Sequence, residues 1–329
     1  MWDTIACKVQ GRGHKKSGTP CQDQVYALQE GGVSVIALAD GAGSAKLSHY
    51  GALAVVKYIC TLLIQEFEML YHNDDGVAVK QYLMNKIHDC LVSEAKLLEC
   101  QLKDLASTLL FVAVKGDQMI CGHIGDGVIG YKQGDALKIL SAPENGEFIN
   151  STYFTTSSDA LITMKLIKGN ISSLSGFVLM SDGTETSLYH KKHKTLAPVL
   201  SKIMNLNSYI PVSTIQSSLQ QSFEQVISSA TADDCSMIMM VRHNNAFNGY
   251  FSLNHYQKAQ FLHLNPHCSK KVISKYDVIL TYLSEERSLT DLSHHLHLKP
   301  VHTKKSLQKL LDLNLIEQQN NHYKVIIKK

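Results

Sequence analysis

Three apolar runs of this chain end in the same way, with an aspartate followed by a glycine. The runs VSVIALADG, CGHIGDG and GFVLMSDG place Asp40, Asp126 and Asp182 where a buried strand would leave the core. A fourth acidic pair, Asp233-Asp234, stands directly before the apolar run CSMIMMV. A single Asp-Gly pair is a common hairpin turn and indicates no more than that. Because strand ends at one edge of a sheet lie close together, the joint pattern predicts several carboxylates converging there.

Converging carboxylates repel one another, and the repulsion raises their pKa values unless a cation lies between them. A hard divalent ion with oxygen ligands removes this conflict, and carboxylate and water ligands favour Mg²⁺ or Mn²⁺ over Zn²⁺. The glycine after each aspartate lets a backbone carbonyl approach an ion without a Cβ in the way. The pattern therefore predicts a Mg²⁺ or Mn²⁺ site built from oxygen ligands.

The remaining pattern indicates an α+β fold. Short runs rich in branched residues predict β-strands, and four residues separate the runs 108–114 and 119–123, which indicates a hairpin in an antiparallel sheet. Apolar residues that recur every third or fourth position predict helices. The predicted strands are 33–38, 108–114, 119–123, 176–180 and 236–241, and the predicted helices are 50–62, 79–98 and 212–228. Long helices on a mainly antiparallel sheet form a layered α+β domain.

Composition argues against several classes of protein. No stretch approaches the roughly 20 apolar residues of a membrane-spanning helix, and the N-terminus lacks the basic and apolar regions of a signal peptide. We therefore expect a cytoplasmic protein without membrane contact. The 8 cysteines form no CxxC pair, and none is followed by Arg at the sixth position, so we expect reduced thiols and no cysteine nucleophile. The 16 histidines show no HExxH motif or paired Cys/His spacing and do not indicate zinc.

Six short motifs together resemble a known family. They are CQD ending at Asp23, DGAGSA from Asp40, STLL around Thr108, GDG at Asp126, SDG at Asp182 and DDCS from Asp233. Over residues 11–241, their order and spacing resemble those of the metal-dependent type 2C Ser/Thr protein phosphatases. The DGAGS form is most similar to a bacterial branch of that family.

The resemblance implies a fold of two packed antiparallel sheets flanked by helices. It also implies that Asp40 bridges two metal ions and that the Gly41 carbonyl binds one of them. Asp182 and Asp233 would complete the shell of the first ion. Two such ions lower the pKa of a bridging water and hold the phosphoryl oxygens for in-line attack, so no covalent phosphoenzyme is needed.

Two further aspartates have roles implied by the same resemblance. Asp23 would hold metal-bound water at the second ion, and it is a candidate catalytic residue together with Asp40. Asp126 matches an aspartate that, with the equivalent of Asp182, binds a third metal in bacterial members. We expect Asp234 to orient its neighbour rather than to bind metal. The expected cofactors are therefore two core Mg²⁺ or Mn²⁺ ions, with a third at Asp126.

Three positions depart from the family pattern. Ala42 occupies the position of a His that many members use as a general acid, and Gln22 replaces a common acidic residue before Asp23. The family's phosphate-binding Arg has no direct match. His14 is the candidate catalytic residue for phosphate contact, with a packed or surface histidine as the alternative. Other basic candidates for this role are Arg12, Lys15 and Lys16.

The C-terminal part of the chain differs in charge and pattern. From residue 251 to the end there are 12 Lys and Arg against 6 Asp and Glu, whereas the rest has 20 against 23. Three amphipathic helices followed by two strands match a winged helix in order and length. They are predicted at 276–283, 289–296, 301–313, 316–318 and 323–327. The predicted domains are a type 2C phosphatase domain at 1–246, a linker at 247–263 and a winged-helix-like domain at 264–329.

The third helix of this tail predicts a binding surface. His302, Lys305 and Lys309 share the face opposite Leu307 and Leu311, where a winged helix presents residues to the DNA major groove. The helix contains no Arg for bidentate guanine recognition, and many winged helices bind proteins instead. The sequence therefore leaves a protein and a DNA partner open, with a slight preference for protein.

The leading hypothesis is hydrolysis of phosphoserine and phosphothreonine in proteins by a metal-activated water, in bacterial-type signalling. The partners would be a phosphorylated protein substrate and a cognate Ser/Thr kinase. One alternative is a regulatory DNA-binding protein with a phosphatase-like sensor body, but such a degenerate domain would be expected to lose one of the aspartates. The other alternative is a phosphatase of small phosphorylated metabolites. The motifs describe the phosphoryl site and not the leaving group, so this alternative stays open.

Overall fold

The structure is a computed structural model, which describes residues 2–134, 136–143, 152–207, 212–242, 250, 253–313 and 315–325. The chain divides into two compact units. The first comprises Met1–Met204 and Val212–Arg242, and the second comprises Asn205–Pro211 and His243–Lys329. All the motif aspartates belong to the first unit.

In the described ranges, the first unit is built on two five-stranded antiparallel sheets. One sheet has the order β1 (Trp2–Val9), β12 (Cys235–Arg242), β9 (Leu174–Met180), β6 (Val128–Gln133) and β7 (Ala136–Ser141). The other has the order β2 (Gln24–Glu30), β3 (Val33–Ala39), β4 (Leu109–Lys115), β5 (Gln118–Ile124) and β8 (Lys165–Asn170). The hairpin expected at 108–114 and 119–123 is confirmed, because β4 and β5 pair directly in antiparallel register.

Strand β3 lies between two apolar layers. Val33, Val35 and Ala37 belong to the core that the second sheet shares with helices, whereas Ile36 and Leu38 belong to the core between the two sheets. Successive side chains of a strand point to opposite faces, so a strand covered on both faces is apolar throughout. This explains the continuous apolar run VSVIALA. The expected α+β sandwich of two packed antiparallel sheets flanked by helices is confirmed.

Helices cover the second sheet and the β1 edge of the first. The helix α2 (Ser48–His72) packs on the second sheet, α3 (Gly76–Leu97) packs on α2, and α7 (Val212–Ser222) packs on β1. On α2 the buried residues Val55, Ile59 and Leu63 recur at the four-residue spacing of one helix face. On α7, Gln216 exchanges hydrogen bonds with the backbone of Ala6. Although α2 has 25 residues, no helix in the described ranges has the length and apolar character needed to cross a bilayer.

Between these elements lie short segments, most of which the sequence did not predict. The helices among them are α1 (Arg12–Ser17), α4 (Ala160–Thr163), α5 (Glu185–Leu188), α6 (Pro198–Leu206) and α8 (Ser228–Ala230). The others are strands β10 (Tyr189–His190) and β11 (Thr195–Leu196), 3₁₀ turns at Leu102–Leu105 and Asp182–Thr184, and a π-helical turn at Phe223–Ile227. The helix expected at 212–228 is therefore divided into α7, the π-helical turn and the start of α8.

The second unit contains four helices and a three-stranded sheet in its described part beyond residue 253. The helices are α9 (His255–Phe261), α10 (Lys270–Tyr282), α11 (Leu289–His295) and α12 (Pro300–Asp312). The strands pair in the order β13 (Arg287–Ser288), β15 (His322–Val325) and β14 (Ile316–Gln319). Ser288 caps α11, because its hydroxyl accepts a hydrogen bond from the backbone N–H of Asp291. The last two residues of the strand expected at 323–327 lie outside the described residues.

The linker prediction at 247–263 is wrong in its described part. Helix α9 occupies His255–Phe261, and Asn254 caps it through a capping box. Ala259 and Leu262 are fully buried in the core of the second unit. A capped segment that buries apolar side chains belongs to the folded unit, whereas a linker would leave them in solvent. Positions 247–249 and 251–252 lie outside the described residues.

Candidate active site

Asp40 lies at the end of β3, where the strand leaves the core. Its backbone N–H donates to the Thr108 hydroxyl at 2.8 Å, and its carbonyl accepts from the Thr108 N–H at 2.8 Å. The N–H of Gly41 donates to the Gln22 carbonyl at 3.2 Å. A Cβ on Gly41 would lie 2.8 Å from the Cβ of Ser48, so a larger residue would push the start of α2 away. Neighbouring elements therefore hold the Asp40–Gly41 turn in place.

Asp182 begins a 3₁₀ turn at the end of β9. The residue before it, Ser181, donates its N–H to the Ser236 carbonyl at 3.1 Å, and the Ser236 N–H donates to the Ser181 hydroxyl at 2.9 Å. A Cβ on Gly183 would lie 1.9 Å from the backbone oxygen of Asp234. Only glycine permits this approach, so the glycine of the SDG motif brings Asp182 next to the DDCS segment.

Asp233 and Asp234 have different environments although they are adjacent. Asp233 is exposed, and its Oδ1 accepts the backbone N–H of Asp234 at 2.9 Å. Asp234 is buried, and its two carboxylate oxygens accept the backbone N–H groups of Gly11 and Gln22, each at 2.6 Å. His14 Nδ1 lies 2.9 Å from Asp234 Oδ2, without the angle of a hydrogen bond. Through these two hydrogen bonds, Asp234 holds the segment before α1 and the segment after α1 at the start of β12.

Asp23 is fully buried directly before β2. Within the part of the chain that the structure describes, neither of its carboxylate oxygens has a hydrogen-bond partner. Burial raises the pKa of Asp23 to about 6, and the nearby hydroxyls of Ser236 and Ser181 offset part of the rise. An ionised carboxylate without partners is costly in the interior, so this position favours a proton or a cation.

The carboxyl groups of Asp40 and Asp182 also have raised pKa values. Burial is the largest cause for both: the pKa of Asp182 rises to about 7, and that of Asp40 lies well above its ordinary value. The next cause is repulsion from neighbouring carboxylates. For Asp40 these belong to Asp23, Asp182, Asp233 and Asp126. The structure therefore brings the five aspartates expected from the sequence into one electrostatic cluster.

Asp126 follows β5 and is partly buried. The Thr152 hydroxyl donates to Asp126 Oδ2 at 2.5 Å. Among the neighbouring charges, that of Asp126 makes the largest contribution to the raised pKa of Asp182, after burial. Asp126 is therefore coupled most closely to the Asp182 part of the cluster.

A sequence profile described as Protein phosphatase 2C matches residues 10–224, which is more than half of the chain. The chain belongs to the protein phosphatase 2C family. The matched segment contains Asp23, Asp40, Asp126 and Asp182, while Asp233 lies just beyond its end. The family resemblance of the sequence motifs is thereby confirmed.

Several individual proteins are similar to this member of the protein phosphatase 2C family. Serine/threonine-protein phosphatase 3 of Escherichia coli (strain K12) is 30% identical over 166 residues, which are 49% of this chain and 65% of that protein. A crystal structure of a bacterial serine phosphatase has a TM-score of 0.52 at 12% identity, and the match covers 75% of this chain and 100% of that one. Serine/threonine phosphatase Stp1 from Staphylococcus aureus has a TM-score of 0.51 at 13% identity, with 74% and 96% covered. At such identities the structural likeness shows the fold alone.

The protein phosphatase 2C family generally depends on Mg²⁺ or Mn²⁺, and the donor set of this chain fits such an ion. In the described ranges, no group of three or more His, Cys, Asp or Glu side chains forms a preassembled metal site. However, Asp23 Oδ1, Asp23 Oδ2 and Asp182 Oδ1 are buried without a hydrogen-bond partner among the described residues. Buried carboxylate oxygens left in this state are costly, and a hard divalent cation satisfies them.

Two departures from the protein phosphatase 2C pattern have structural consequences. Ala42, at the position of the family's general-acid His, is buried beside Ala45 and Ala106. A methyl group has no proton to donate, so this position does not supply an acid. Gln22, at the position of a common acidic residue, donates from Nε2 to the Ser48 hydroxyl at 2.7 Å. This contact links the segment before β2 to the start of α2.

His14 lies on α1, and 21% of its side chain is exposed. Arg12 Nε donates to the Thr231 carbonyl at 3.1 Å, which holds α1 against the loop that leads to Asp233. The basic segment noted in the sequence therefore stands beside the DDCS motif. The structure places the His14 ring against the buried carboxylate of Asp234.

Sequence reasoning missed the hydroxyl side chains that surround the aspartates. Ser181 and Ser236 lie close to Asp23, and Thr108 holds the backbone of Asp40. A signal was present, because each of these three stands inside a motif, in SDG, DDCS or STLL. Thr152 had no such signal, since its segment comes near Asp126 only through the fold.

Proposed function

We propose that this chain is a Mg²⁺- or Mn²⁺-dependent phosphoprotein phosphatase that hydrolyses phosphoserine and phosphothreonine. The observation that carries the proposal is the buried aspartate cluster, in which oxygens of Asp23 and Asp182 have no hydrogen-bond partner among the described residues. A phosphoryl group is itself an anion, so a carboxylate cluster attracts it only through intervening cations. Membership of the protein phosphatase 2C family supports the same activity.

Each aspartate of the cluster has a proposed role. The carboxylates of Asp40, Asp182 and Asp233 and the carbonyl of Gly41 would hold the two core ions, and Asp126 would hold a third. Asp40 would contribute oxygens to both core ions, and its position among four other carboxylates supports this role. Asp23 would accept a hydrogen bond from the attacking water and orient it. When bound, Mg²⁺ or Mn²⁺ lowers the pKa of water and neutralises charge on the phosphoryl oxygens.

His14 is proposed to contact the substrate phosphate in place of the family's Arg. Its Nδ1 lies 2.9 Å from Asp234 Oδ2, and part of the side chain is exposed to solvent. Arg12, Lys15 and Lys16 add positive charge to the same short helix. Positive charge near the site attracts the phosphorylated substrate and raises its local concentration.

The first test is hydrolysis of p-nitrophenyl phosphate and of phosphoserine and phosphothreonine peptides with Mn²⁺ or Mg²⁺, and its loss in EDTA. Asp40→Asn and Asp182→Asn each replace a charged ligand by a neutral amide. We expect each to lower kcat by about three orders of magnitude. Asp89→Asn, on an exposed position of α3, is the matched control and should retain wild-type turnover.

Near wild-type turnover by both cluster variants would contradict the role of the aspartates as metal ligands. Turnover of small phosphate esters without turnover of phosphopeptides would instead favour a phosphatase of small phosphorylated metabolites. The two substrate types therefore separate the proposed function from the alternative that the motifs leave open.

We further propose that the second unit is a separate partner-binding domain of the winged-helix type. Its described elements follow the order α10, β13, α11, α12, β14 and β15, and they enclose a core of their own. In cytoplasmic signalling, the protein would act on a phosphorylated protein substrate and oppose a cognate Ser/Thr kinase.

A further inference from the structure

Two grooves rich in lysine lie beside helix α10 of the second unit, one towards α12 and the other towards α11. The first groove has a volume of about 630 Å³ and the second a volume of about 590 Å³. The basic residues of the first are Lys275, His302, Lys305 and Lys309, and those of the second are Lys270, Lys271, Lys275 and His295. Both grooves include Lys275, so they adjoin at that side chain. The seven residues named here are called the basic strip below.

The basic strip has little negative charge beside it. Asp312 is the one acidic residue that lines either groove among the described residues, and its Oδ1 accepts a hydrogen bond from Gln308 at 2.9 Å. Elsewhere in this unit, Asp277 pairs with Lys258 at 2.9 Å, Glu285 pairs with Arg287, and the Asp291 carboxylate completes the capping box of α11. Lysines without matching carboxylates produce a positive potential that attracts a polyanion.

The lysines of the strip also act on one another. Burial lowers the pKa of Lys275, and the positive charge of Lys305 lowers it further. Both side chains line the first groove. Their ammonium groups therefore repel each other in the free protein, and an anion placed between them would relieve that repulsion.

Helix α12 presents one face to solvent along its length. Thr303, Leu307 and Leu310 are buried, whereas His302 and Lys305 are exposed. With 13 residues, the helix extends about 20 Å. A helix with one exposed face can enter the major groove of B-DNA, which is about 12 Å wide.

We propose that the basic strip binds duplex DNA, with α12 in the major groove and the lysines of α10 on the flanking phosphates. His302, Lys305 and Lys309 recur along α12, so they match the repeated phosphates of a nucleic acid. A single phosphoryl group is instead held by donors that converge on one point. The narrow major groove of A-form RNA does not admit a helix, which favours DNA. This binding rests on the proposed partner-binding role of the second unit and is independent of the catalytic proposal.

The composition of the strip also determines the kind of binding. Lysine contacts phosphates as a point charge, and α12 contains no Arg for bidentate recognition of guanine. Contacts to phosphate carry no base information. We therefore expect affinity that tolerates sequence changes in the DNA and falls steeply with salt.

The test is fluorescence anisotropy of the full-length chain with a labelled mixed-sequence DNA duplex of about 30 base pairs, at about 50 to 200 mM NaCl. Lys275→Glu combined with Lys305→Glu should lower the affinity at least about tenfold and reduce the salt slope by about 2. Lys275→Gln combined with Lys305→Gln should have an intermediate effect. The matched control is Lys57→Glu combined with Lys96→Glu, at exposed positions of α2 and α3, which makes the same change in net charge.

All three double variants should retain wild-type turnover of p-nitrophenyl phosphate, which separates this test from that of the catalytic proposal. No binding by the wild type at the lowest salt, or equal loss in the matched control, would overturn the inference. Equal affinity for duplex RNA of the same sequence would also overturn it. Binding of a multiply phosphorylated peptide in place of DNA would identify the strip as a phosphoprotein docking site instead.

Discussion

Asp23 and Asp233 belong to one cluster but lie in opposite environments. Asp23 is fully buried and without hydrogen-bond partners in the described ranges, whereas Asp233 is exposed in a loop. Burial raises the pKa of Asp23 to about 6, while the charge of Asp233 contributes to the raised pKa values of Asp40 and Asp182. The surroundings of each carboxyl group determine what it contributes, so substitutions within the cluster should have different effects.

Asp126→Ala should weaken a third metal ion and leave the core pair bound. Asp126 is partly buried and already accepts the Thr152 hydroxyl at 2.5 Å, so its carboxylate is less in need of a cation than that of Asp23. Isothermal titration with Mn²⁺ should show the loss of the weakest binding event alone. Asp40→Ala is the comparison and should abolish binding at the core pair. Loss of all binding in Asp126→Ala would place this residue in the core pair.

At the scale of elements, a buried carboxylate determines how three segments meet. Asp234, directly before β12, accepts the N–H groups of Gly11 and Gln22, which lie before α1 and before β2. A Cβ on Gly11 would lie 2.3 Å from the carbonyl carbon of Asp233, so the two segments approach closely. The loop that carries Asp233 is therefore positioned by contacts with a distant part of the chain.

Asp234→Ala should lower the free energy of unfolding by about 3 to 5 kcal/mol, because it leaves two buried N–H groups without an acceptor. Asp234→Asn keeps a carbonyl oxygen and should cost less. Urea unfolding followed by circular dichroism measures both. Asp75→Ala, which removes the exposed N-cap of α3, is the comparison and should cost about 1 kcal/mol. Equal losses for Asp234→Ala and Asp75→Ala would show that Asp234 does not hold these segments together.

At the scale of the whole molecule, the metal-free protein should lose stability as pH rises. The pKa values of Asp23 and Asp182 in the fold, about 6 and about 7, exceed the ordinary value near 4 of an unfolded chain. Over that interval the folded state binds more protons than the unfolded state, so the free energy of unfolding falls as pH increases. The melting temperature in EDTA should therefore fall between about pH 4 and pH 7.

Mn²⁺ should raise the melting temperature again, because the ion binds the ionised carboxylates of the folded state. The increase should be largest near pH 7, where these carboxylates are most ionised. Other groups also titrate in this range, so the control is the double variant Asp40→Asn with Asp182→Asn. It should show a weaker dependence on pH and a smaller shift with Mn²⁺. A melting temperature that neither pH nor Mn²⁺ changes in the wild type would count against the cluster as a metal site.

A chain that ends at Phe247 should retain turnover of p-nitrophenyl phosphate. Among the described residues, the buried clusters of the first unit and the cluster of the second share no member. The segment Asn205–Pro211 groups with the second unit, so the melting temperature of the truncated chain must be measured alongside its activity. A truncated protein that is folded yet inactive would refute the separability of the two units.

The sequence predicted elements best where a strong local pattern was present. Strand β3 is a short apolar run closed by Asp-Gly, and α2 repeats apolar residues on one face. Helix α1 was missed because none of its six residues is buried, so it has no apolar period to detect. Helix α9 was assigned to a linker because its 7 residues, His255–Phe261, are too few to show a clear apolar period.

The sequence by itself determined the α+β class, the strand-end aspartates and the N-cap at Ser288, because these depend on residues only a few positions apart. Only the tertiary structure decided that Asp234 is a buried acceptor while Asp233 is exposed, and that two lysine-rich grooves meet at Lys275. Burial and charge depend on segments that are distant in the chain. Gly11 and Asp234, for example, are 223 positions apart in the sequence, but the Gly11 N–H donates to Asp234 Oδ1 at 2.6 Å.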